Sequence, residues 1–345
     1  MKRRVWIPAL TVFLVLFAAA AAIVWRGIQS LDRPLPVTAS VVYRVAPGMS
    51  LARLAADLSA RGLLPRPHAW VLYARLRGEA SAVRAGEYEI RPGDTPRRLL
   101  ERMVRGAVLL HAFTIVDGWR VRDLLAALRR DPHVVSTLPP APRDLMAKFG
   151  SPGLDPEGEF LPETYKFPSG TSDVELLELA HRALVRELDA AWNNRDPDLP
   201  LHSAQELLRV ASIVEKESAL PEERRKIAGL YLHRLQIGMR LQADPTIIYG
   251  LGDRYDGSLH TADLRTDGPY NTYTRAGLPP TPIALAGAAA IRATAHPEKT
   301  DALYFVASGK GDGSHVFSAT LEEQNAAVER YLSRMREKAR TGAVK

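Results

Sequence analysis

The sequence has no cysteine in its 345 residues, which removes disulfides, thiolate nucleophiles and cysteine-ligated zinc or iron–sulfur sites together. Its nine histidines include no pair at the spacing of an H-E-x-x-H helix, so no metal is expected. Basic clusters interleaved with aromatics are missing, and a formal net charge of +7 on an arginine-rich chain calls for no nucleic-acid partner. Long apolar runs are confined to one place near the N-terminus, which excludes a multispan membrane protein. Gly309-Lys-Gly-Asp-Gly313 lacks the Walker spacing and falls between the apolar runs Leu303–Val306 and His315–Phe317, as a hairpin turn does. No cofactor is expected, and any catalysis must run on carboxylates, hydroxyls, histidine or lysine. What the chain does have is core-forming material: 46% of its residues are hydrophobic, over a length that suggests about two domains.

Lys2, Arg3 and Arg4 precede an uncharged run from Val5 to Trp25, long enough to cross about 30 Å of hydrocarbon as a helix. Trp6 and Trp25 stand at its ends, where indole rings favour the membrane interfaces, and the basic cluster leaves the N-terminus in the cytoplasm. Residues 1–4 are thus expected as a cytoplasmic tail, 5–25 as a transmembrane anchor and 26–38 as a tether. A cleaved signal peptide is the alternative, because Ala18–Ala22 offers small residues to a peptidase. Both readings export everything beyond about Gln29, and freedom from cysteine suits an exported domain that does not rely on disulfides.

Val41–Val45 alternates and is β-branched, as a short strand should be. Tyr43, Pro47-Gly48, Ser50 and Leu54 return 45 residues later as Tyr88, Pro92-Gly93, Thr95 and Leu99. Each unit is a strand, a Pro-Gly turn and a hydroxyl that caps the next helix. Two such units make one small α+β module, and Phe113–Gly118 leading to Leu124 is a fainter third echo opening the next domain. The strand, turn and capped helix resemble half of a LysM glycan-binding module; a generic packing module is the other reading. From Asp131 to Thr171 prolines and glycines exclude long regular elements. Within that stretch, Glu159-Phe-Leu-Pro-Glu163-Thr-Tyr165 mixes carboxylates with aromatics, as a cleft lining does. Ser172-x-x-Glu175 is a capping box heading a helix to about Trp192, and Ser203-x-x-Glu206 caps the next.

That next helix carries Glu215 and Glu217, about 200° apart around its axis. Leu207, Val210 and Val214 form an apolar stripe that Glu217 continues, whereas Glu215 stacks over Ala211 and Ser212. A carboxylate on the buried side of a helix has a raised pKa and stays protonated near neutrality, as a general acid must. A frayed last turn with both carboxylates in water is the alternative. Pro221 opens a second helix through Ile227, Leu230, Tyr231 and Leu235 that Gly238 ends, making a hairpin with the Glu217 turn at its tip. Gln242, Asp244, Thr246 and Tyr249 follow, and then Pro269–Tyr273 and Gly277–Pro282 place Tyr and Asn on proline-stiffened loops. Such loops hold sugars, rings stacking on pyranose faces and amides bonding hydroxyls or N-acetyl groups. Lys216 reads as a solvated charge, and His296 as a histidine that orders its loop.

Ala211–Glu217 (A-S-I-V-E-K-E), Ile237–Thr246 (I-G-M-R-L-Q-A-D-P-T), Pro269–Tyr273 (P-Y-N-T-Y), Gly277–Pro280 (G-L-P-P) and His296–Val306 closely resemble the YceG-like endolytic murein transglycosylase family over nearly the whole chain. The resemblance implies an inner-membrane-anchored enzyme, its catalytic domain periplasmic, that cuts peptidoglycan glycan strands internally. Its fold is α+β: a transmembrane helix, a LysM-like module at 39–107, and a catalytic domain at 108–340 with a helical core and β-hairpins. The family's catalytic acid, the second Glu of E-K-E, falls on Glu217. Glu163, Tyr165, Ser212, Gln242, Asp244, Tyr249, Tyr270, Asn271 and Tyr273 are expected to line the substrate cleft. The implied partners are the glycan strands, the cytoplasmic membrane, penicillin-binding proteins and the elongation or division complexes. A water-using muramidase with Asp244 or Glu163 as second carboxylate, and a non-catalytic glycan-binding scaffold, are the alternatives. The pyridoxal-dependent aminodeoxychorismate lyase label carried by relatives of this family has no fitting Schiff-base lysine here.

Overall fold

The computed structural model describes residues 6–139, 141–217 and 220–340. The tail expected at 1–4, the side chain of Trp6 and the hairpin tip at 218–219 lie outside the described residues. The protein is mixed α+β with one N-terminal apolar helix, α1 (Trp6–Gln29), long and apolar enough to cross a membrane. There follow β1 (Val41–Val45), α2 (Leu51–Ala60), α3 (Pro67–Leu76), β2 (Gly86–Ile90), α4 (Pro96–Arg105), β3 (Leu110–Thr114), α5 (Val121–Arg130), β4 (Thr164–Pro168) and α6 (Asp173–Asn193). The remainder is α7 (Ala204–Glu217), α8 (Pro221–Gln236), α9 (Asp244–Leu251), α10 (Thr261–Arg265), α11 (Ala288–Ala295), β5 (Tyr304–Ala307), β6 (His315–Ser318) and α12 (Leu321–Arg340). The strands form three two-stranded sheets, β1-β2, β3-β4 and β5-β6. Two compact units result, one holding the chain to residue 111 with 166–171, the other 112–165 and the chain from 172.

In the first unit the two repeats are physically paired. β1 and β2 run antiparallel with Tyr43 opposite Tyr88. Both rings are buried, and each hydroxyl is satisfied, Tyr43 donating to Asp57 Oδ2 at 2.5 Å and Tyr88 to the Arg84 carbonyl at 2.8 Å. Ser50 and Thr95 cap α2 and α4, accepting from the amides of Arg53 and Arg98. The repeat gave no sign of α3, which supplies Trp70; that side chain is fully buried, and its Nε1 donates to the Pro96 carbonyl at 2.8 Å. Rings of this size each contribute roughly 1.5–3 kcal/mol by leaving water. The expectation of a tether at 26–38 needs correction. α1 runs into a 3-10 turn at Ser30–Asp32, Leu31 and Leu35 enter the core of this unit, and the Leu35 amide donates to the Asp94 carbonyl at 2.7 Å.

In the second unit α7 is the central helix, packed by α6, α8 and α11. Leu207, Leu208, Val210, Ala211, Ser212, Ile213 and Val214 are all buried on it. A single inward stripe is therefore too narrow a description: the side that carries Glu215 is covered as well. Among the described residues of 131–171 only a 3-10 turn at Leu145–Phe149 and the short β4 are regular. The carboxylate of Asp173 ties this stretch down by accepting the amides of Thr137 and Leu138, both at 3.0 Å. β5 and β6 make the expected hairpin around Gly309–Gly313, with Phe305 opposite Phe317, and α12 packs on it.

Candidate active site

The capping predicted at Ser203 forms: its Oγ accepts from the Glu206 amide at 3.2 Å, while the Glu206 carboxylate reaches one residue further back, to the His202 amide at 2.7 Å. From that start, fourteen residues of helix place Glu217 in the last turn of α7. Opposite it, α8 presents Tyr231 and Arg234, three positions apart and on one helix face. Tyr231 is buried and donates its hydroxyl hydrogen to Glu217 Oε1 at 2.5 Å. Arg234 is buried too, its Nε held by the Leu303 carbonyl at 2.6 Å and its Nη1 by the Leu241 carbonyl.

Removal from water pushes the Glu217 carboxyl up to about 7, with the negative charge of Asp244 acting in the same direction. The Tyr231 hydrogen bond and the Arg234 charge pull the other way. Burial, with the charge of Glu217 beside it, raises the Tyr231 phenol well above its ordinary value, so it stays protonated and keeps donating. A carboxyl balanced in this way can give a proton near neutral pH and afterwards stand as a carboxylate.

Glu215 is also withdrawn from water, but it is fully engaged. Oε1 pairs with Arg224 Nη2 at 3.0 Å, and Oε2 accepts the amide of Gly287 at 3.0 Å. Gly287 precedes the first turn of α11, and a Cβ there would lie 2.5 Å from Asp117 Oδ1. Glu215 therefore straps α7 to α8 and α11. Lys216 is exposed and donates to the Gly118 carbonyl at 3.3 Å.

Of the residues expected to line the cleft, Asp244 and Tyr273 join Glu217. Asp244 opens α9, and its Oδ1 accepts from the Tyr273 hydroxyl at 2.7 Å. The preceding residue pair is stitched to the Pro269–Tyr273 loop: the Gln242 amide donates to the Thr272 carbonyl at 3.2 Å, and the Ala243 amide to Thr272 Oγ1 at 2.9 Å. Gln242 itself is exposed, with φ at 51°, a left-handed backbone uncommon outside glycine. Asn271 is buried and spends its amide inside the loop. Its Nδ2 donates to the carbonyls of Asp263, Leu264 and Thr266, and its Oδ1 accepts from the Tyr273 amide. It shapes the loop that carries Tyr273, and its Nδ2 hydrogens are taken within that loop.

Tyr249 and Tyr270 stand apart from Glu217 at the other end of α9. Their rings meet edge to face at 4.8 Å and, with Asn271, help line a cavity of about 410 Å³. Tyr249 donates to Glu157 Oε2 at 3.2 Å under the guanidinium of Arg120, and Tyr270 Oη lies 2.9 Å from Thr281 Oγ1. Ser212 is fully buried; it donates to the Arg209 carbonyl at 2.7 Å and accepts the Ile283 amide at 3.0 Å, fixing the Gly277–Pro282 loop. Glu163 is exposed just before β4, and Tyr165 turns its hydroxyl back to the Leu161 carbonyl at 2.8 Å. The loop histidine His296 lies 2.7 Å from Asp196 Oδ1.

Several residues escaped the sequence. Tyr231 and Arg234 sit on what reads as a packing face of α8. The available signal was the phenol itself, since a tyrosine on an apolar stripe needs a partner for its hydroxyl. Glu157 escaped as well; it and Glu159, which belongs to the stretch expected to line the cleft, are both buried and pushed up to about 7 by burial. Glu157 accepts the Val121 amide at 3.0 Å and Glu159 is met by Gln205 at 3.1 Å.

Fold and site together define a mixed α+β protein with an apolar N-terminal helix and a half-buried carboxylic acid at the end of α7, held against α8. The YceG-like family model matches residues 43–330, and the chain belongs to that family. It is 30% identical over 319 residues to the endolytic murein transglycosylase of Bacillus subtilis, with 87% of each chain covered. It is 27% identical over 334 residues to the endolytic murein transglycosylase of Streptococcus pneumoniae, covering 86% of this chain and 60% of that one. A crystal structure of a YceG-like protein from Listeria monocytogenes superposes with a TM-score of 0.51 at 25% identity, covering 83% of this chain and 98% of the other.

Proposed function

We propose that this protein is an endolytic peptidoglycan lytic transglycosylase that cleaves the β-1,4 bond between N-acetylmuramic acid and N-acetylglucosamine without water, with Glu217 as its acid. The observation that carries the reading is the desolvated Glu217 carboxyl, bonded to Tyr231 and near half-protonation at neutral pH. With Oε1 occupied by Tyr231, the proton sits on Oε2. That proton passes to the departing glycosidic oxygen while the muramyl C6 hydroxyl attacks C1. The carboxylate then takes the hydroxyl proton, and the product is a 1,6-anhydromuramyl end. Because the substrate supplies its own nucleophile, a second catalytic carboxylate is unnecessary, as in other substrate-assisted glycosidases. Tyr231 and Arg234 stabilise the carboxylate as it forms, and Asp244, held by Tyr273, keeps it basic enough to be reprotonated.

On this reading α1 is an uncleaved anchor with its N-terminus in the cytoplasm of an inner membrane. The module at 39–107 is a LysM-like glycan-binding element, and 108–340 is the catalytic domain, acting on strands as penicillin-binding proteins extend them. The test is digestion of purified glycan strands by the detergent-solubilised full chain, wild type beside Glu217→Gln, with products read by mass spectrometry. Anhydro ends from wild type alone support the reading. Hydrated reducing ends would make the protein a muramidase with Asp244 or Glu163 as second carboxylate, and binding without release in both would make it a scaffold.

A further inference from the structure

The unbroken connection between α1 and the first unit brings a small basic pocket to the membrane surface. The apolar run ends at Trp25, and Gly27 packs so closely on α3 that a Cβ there would stand 3.4 Å from that of Ala69. The first turn of α3 is therefore level with the last turns of the anchor. Helical rise from Arg26 through the 3-10 turn carries the chain about 10 Å to Arg33. The headgroup layer is roughly 5–8 Å deep on each side, and a long arginine stem reaches back across the difference.

At that level lies a pocket of about 200 Å³, walled by Ser30, Pro34, Pro65 and Pro96 and flanked by Arg33 and Arg66. Both arginines are exposed. The nearby acids are already taken: Asp32 pairs with Arg97 and Asp94 with Arg102, each at 2.6 Å. Among the described residues neither Arg33 nor Arg66 has an ion-pair partner. Two guanidiniums beside a proline-stiffened cavity, with no ion-pair partner among the described residues, fit a phosphate oxyanion, which accepts their forked hydrogen bonds.

We propose that this pocket seats the phosphate of an anionic lipid headgroup on the outer face of the membrane. The inference rests on the reading of α1 as an uncleaved anchor. It makes the first unit a body docked on lipid as well as joined to it.

The test uses the full chain in mild detergent, titrated with phosphatidylglycerol or phosphatidylcholine, with bound lipid counted by native mass spectrometry. Wild type is expected to prefer phosphatidylglycerol. R33Q/R66Q should lose that preference by about thirtyfold, at about fivefold for each cation near an anionic surface, and R33K/R66K should keep part of it. Equal melting temperatures for the three proteins establish that the fold is kept. An unchanged preference in R33Q/R66Q would overturn the proposal, and so would inorganic phosphate displacing the lipid at equal concentration, which would assign the pocket to a free anion. Release of the protein from membranes by alkaline carbonate would remove the anchor reading, and the proposal with it, whatever the lipid titration gives.

Discussion

The hydroxyl of Tyr231 and the carboxylate of Glu217, fourteen residues apart in sequence, meet at 2.5 Å between α8 and α7. That contact and the neighbouring charge of Asp244 act on the acid in opposite directions, so the two can be separated by experiment. Tyr231→Phe removes a hydrogen bond to the charged form, worth roughly 1.5–3 kcal/mol, and should raise the Glu217 pKa by about one to two units. The alkaline limb of the pH–rate profile on glycan strands should move up accordingly. Asp244→Asn removes a repelling charge and should move the same limb down, by up to about one unit. Limbs that stay where they are in both variants would mean that Glu217 does not set the profile.

Glu217 also predicts a cost in stability. Its folded pKa of about 7 lies above the value of an exposed glutamate, so the folded state holds the proton more tightly than the unfolded chain does. Its contribution is fully present below about pH 4.5 and is lost as pH rises through 7. Glu217→Gln should leave stability nearly unchanged at pH 4.5 and raise it at pH 8, by on the order of 2 kcal/mol, while abolishing strand cleavage. Thermal melts of the two proteins at both pH values check this, and a difference independent of pH would refute the burial argument.

Glu215 should behave in the opposite way although it is only two residues distant. Glu215→Ala leaves the half-buried Arg224 without its partner and the Gly287 amide without its acceptor, a change expected to cost up to about 3 kcal/mol. Denaturant unfolding should report that loss near neutral pH. A variant that melts like wild type but no longer cuts glycan would make Glu215 part of the chemistry instead of the strap between helices.

Gln242 holds a left-handed backbone at φ 51° with its side chain exposed beside the site. Gln242→Gly relieves the backbone and should alter stability by less than about 1 kcal/mol. If the side chain is retained because it touches sugar, turnover should nonetheless fall tenfold or more; unchanged turnover would remove Gln242 from the substrate contacts.

Local signals in the sequence were reliable where one residue and its near neighbours decide the outcome. Ser50, Thr95 and Ser172 all cap the helices assigned to them, because a cap depends on three or four consecutive residues. Glu217 was legible because it extends a run of apolar residues whose period is that of a helix. Asn271 was legible as a loop residue only; that its amide would be consumed by three carbonyls of its own loop depends on a backbone path that no residue pattern encodes. α9 was hidden for a related reason, since Asp244–Leu251 is too short to display a period. Leu31 looked like part of a proline-interrupted spacer, and its burial depends on a core assembled from Trp70 and Tyr88, both far along the chain.

The helical path from α1 to Leu31 has a mechanical meaning. With α1 read as an anchor, a flexible spacer would let the first unit turn freely, whereas a continuous helix fixes its rotational phase against the bilayer. One residue inserted near Gln29 would turn everything beyond it by about 100° and raise it by about 1.5 Å, so the length of this short segment acts as an angular setting as well as a ruler.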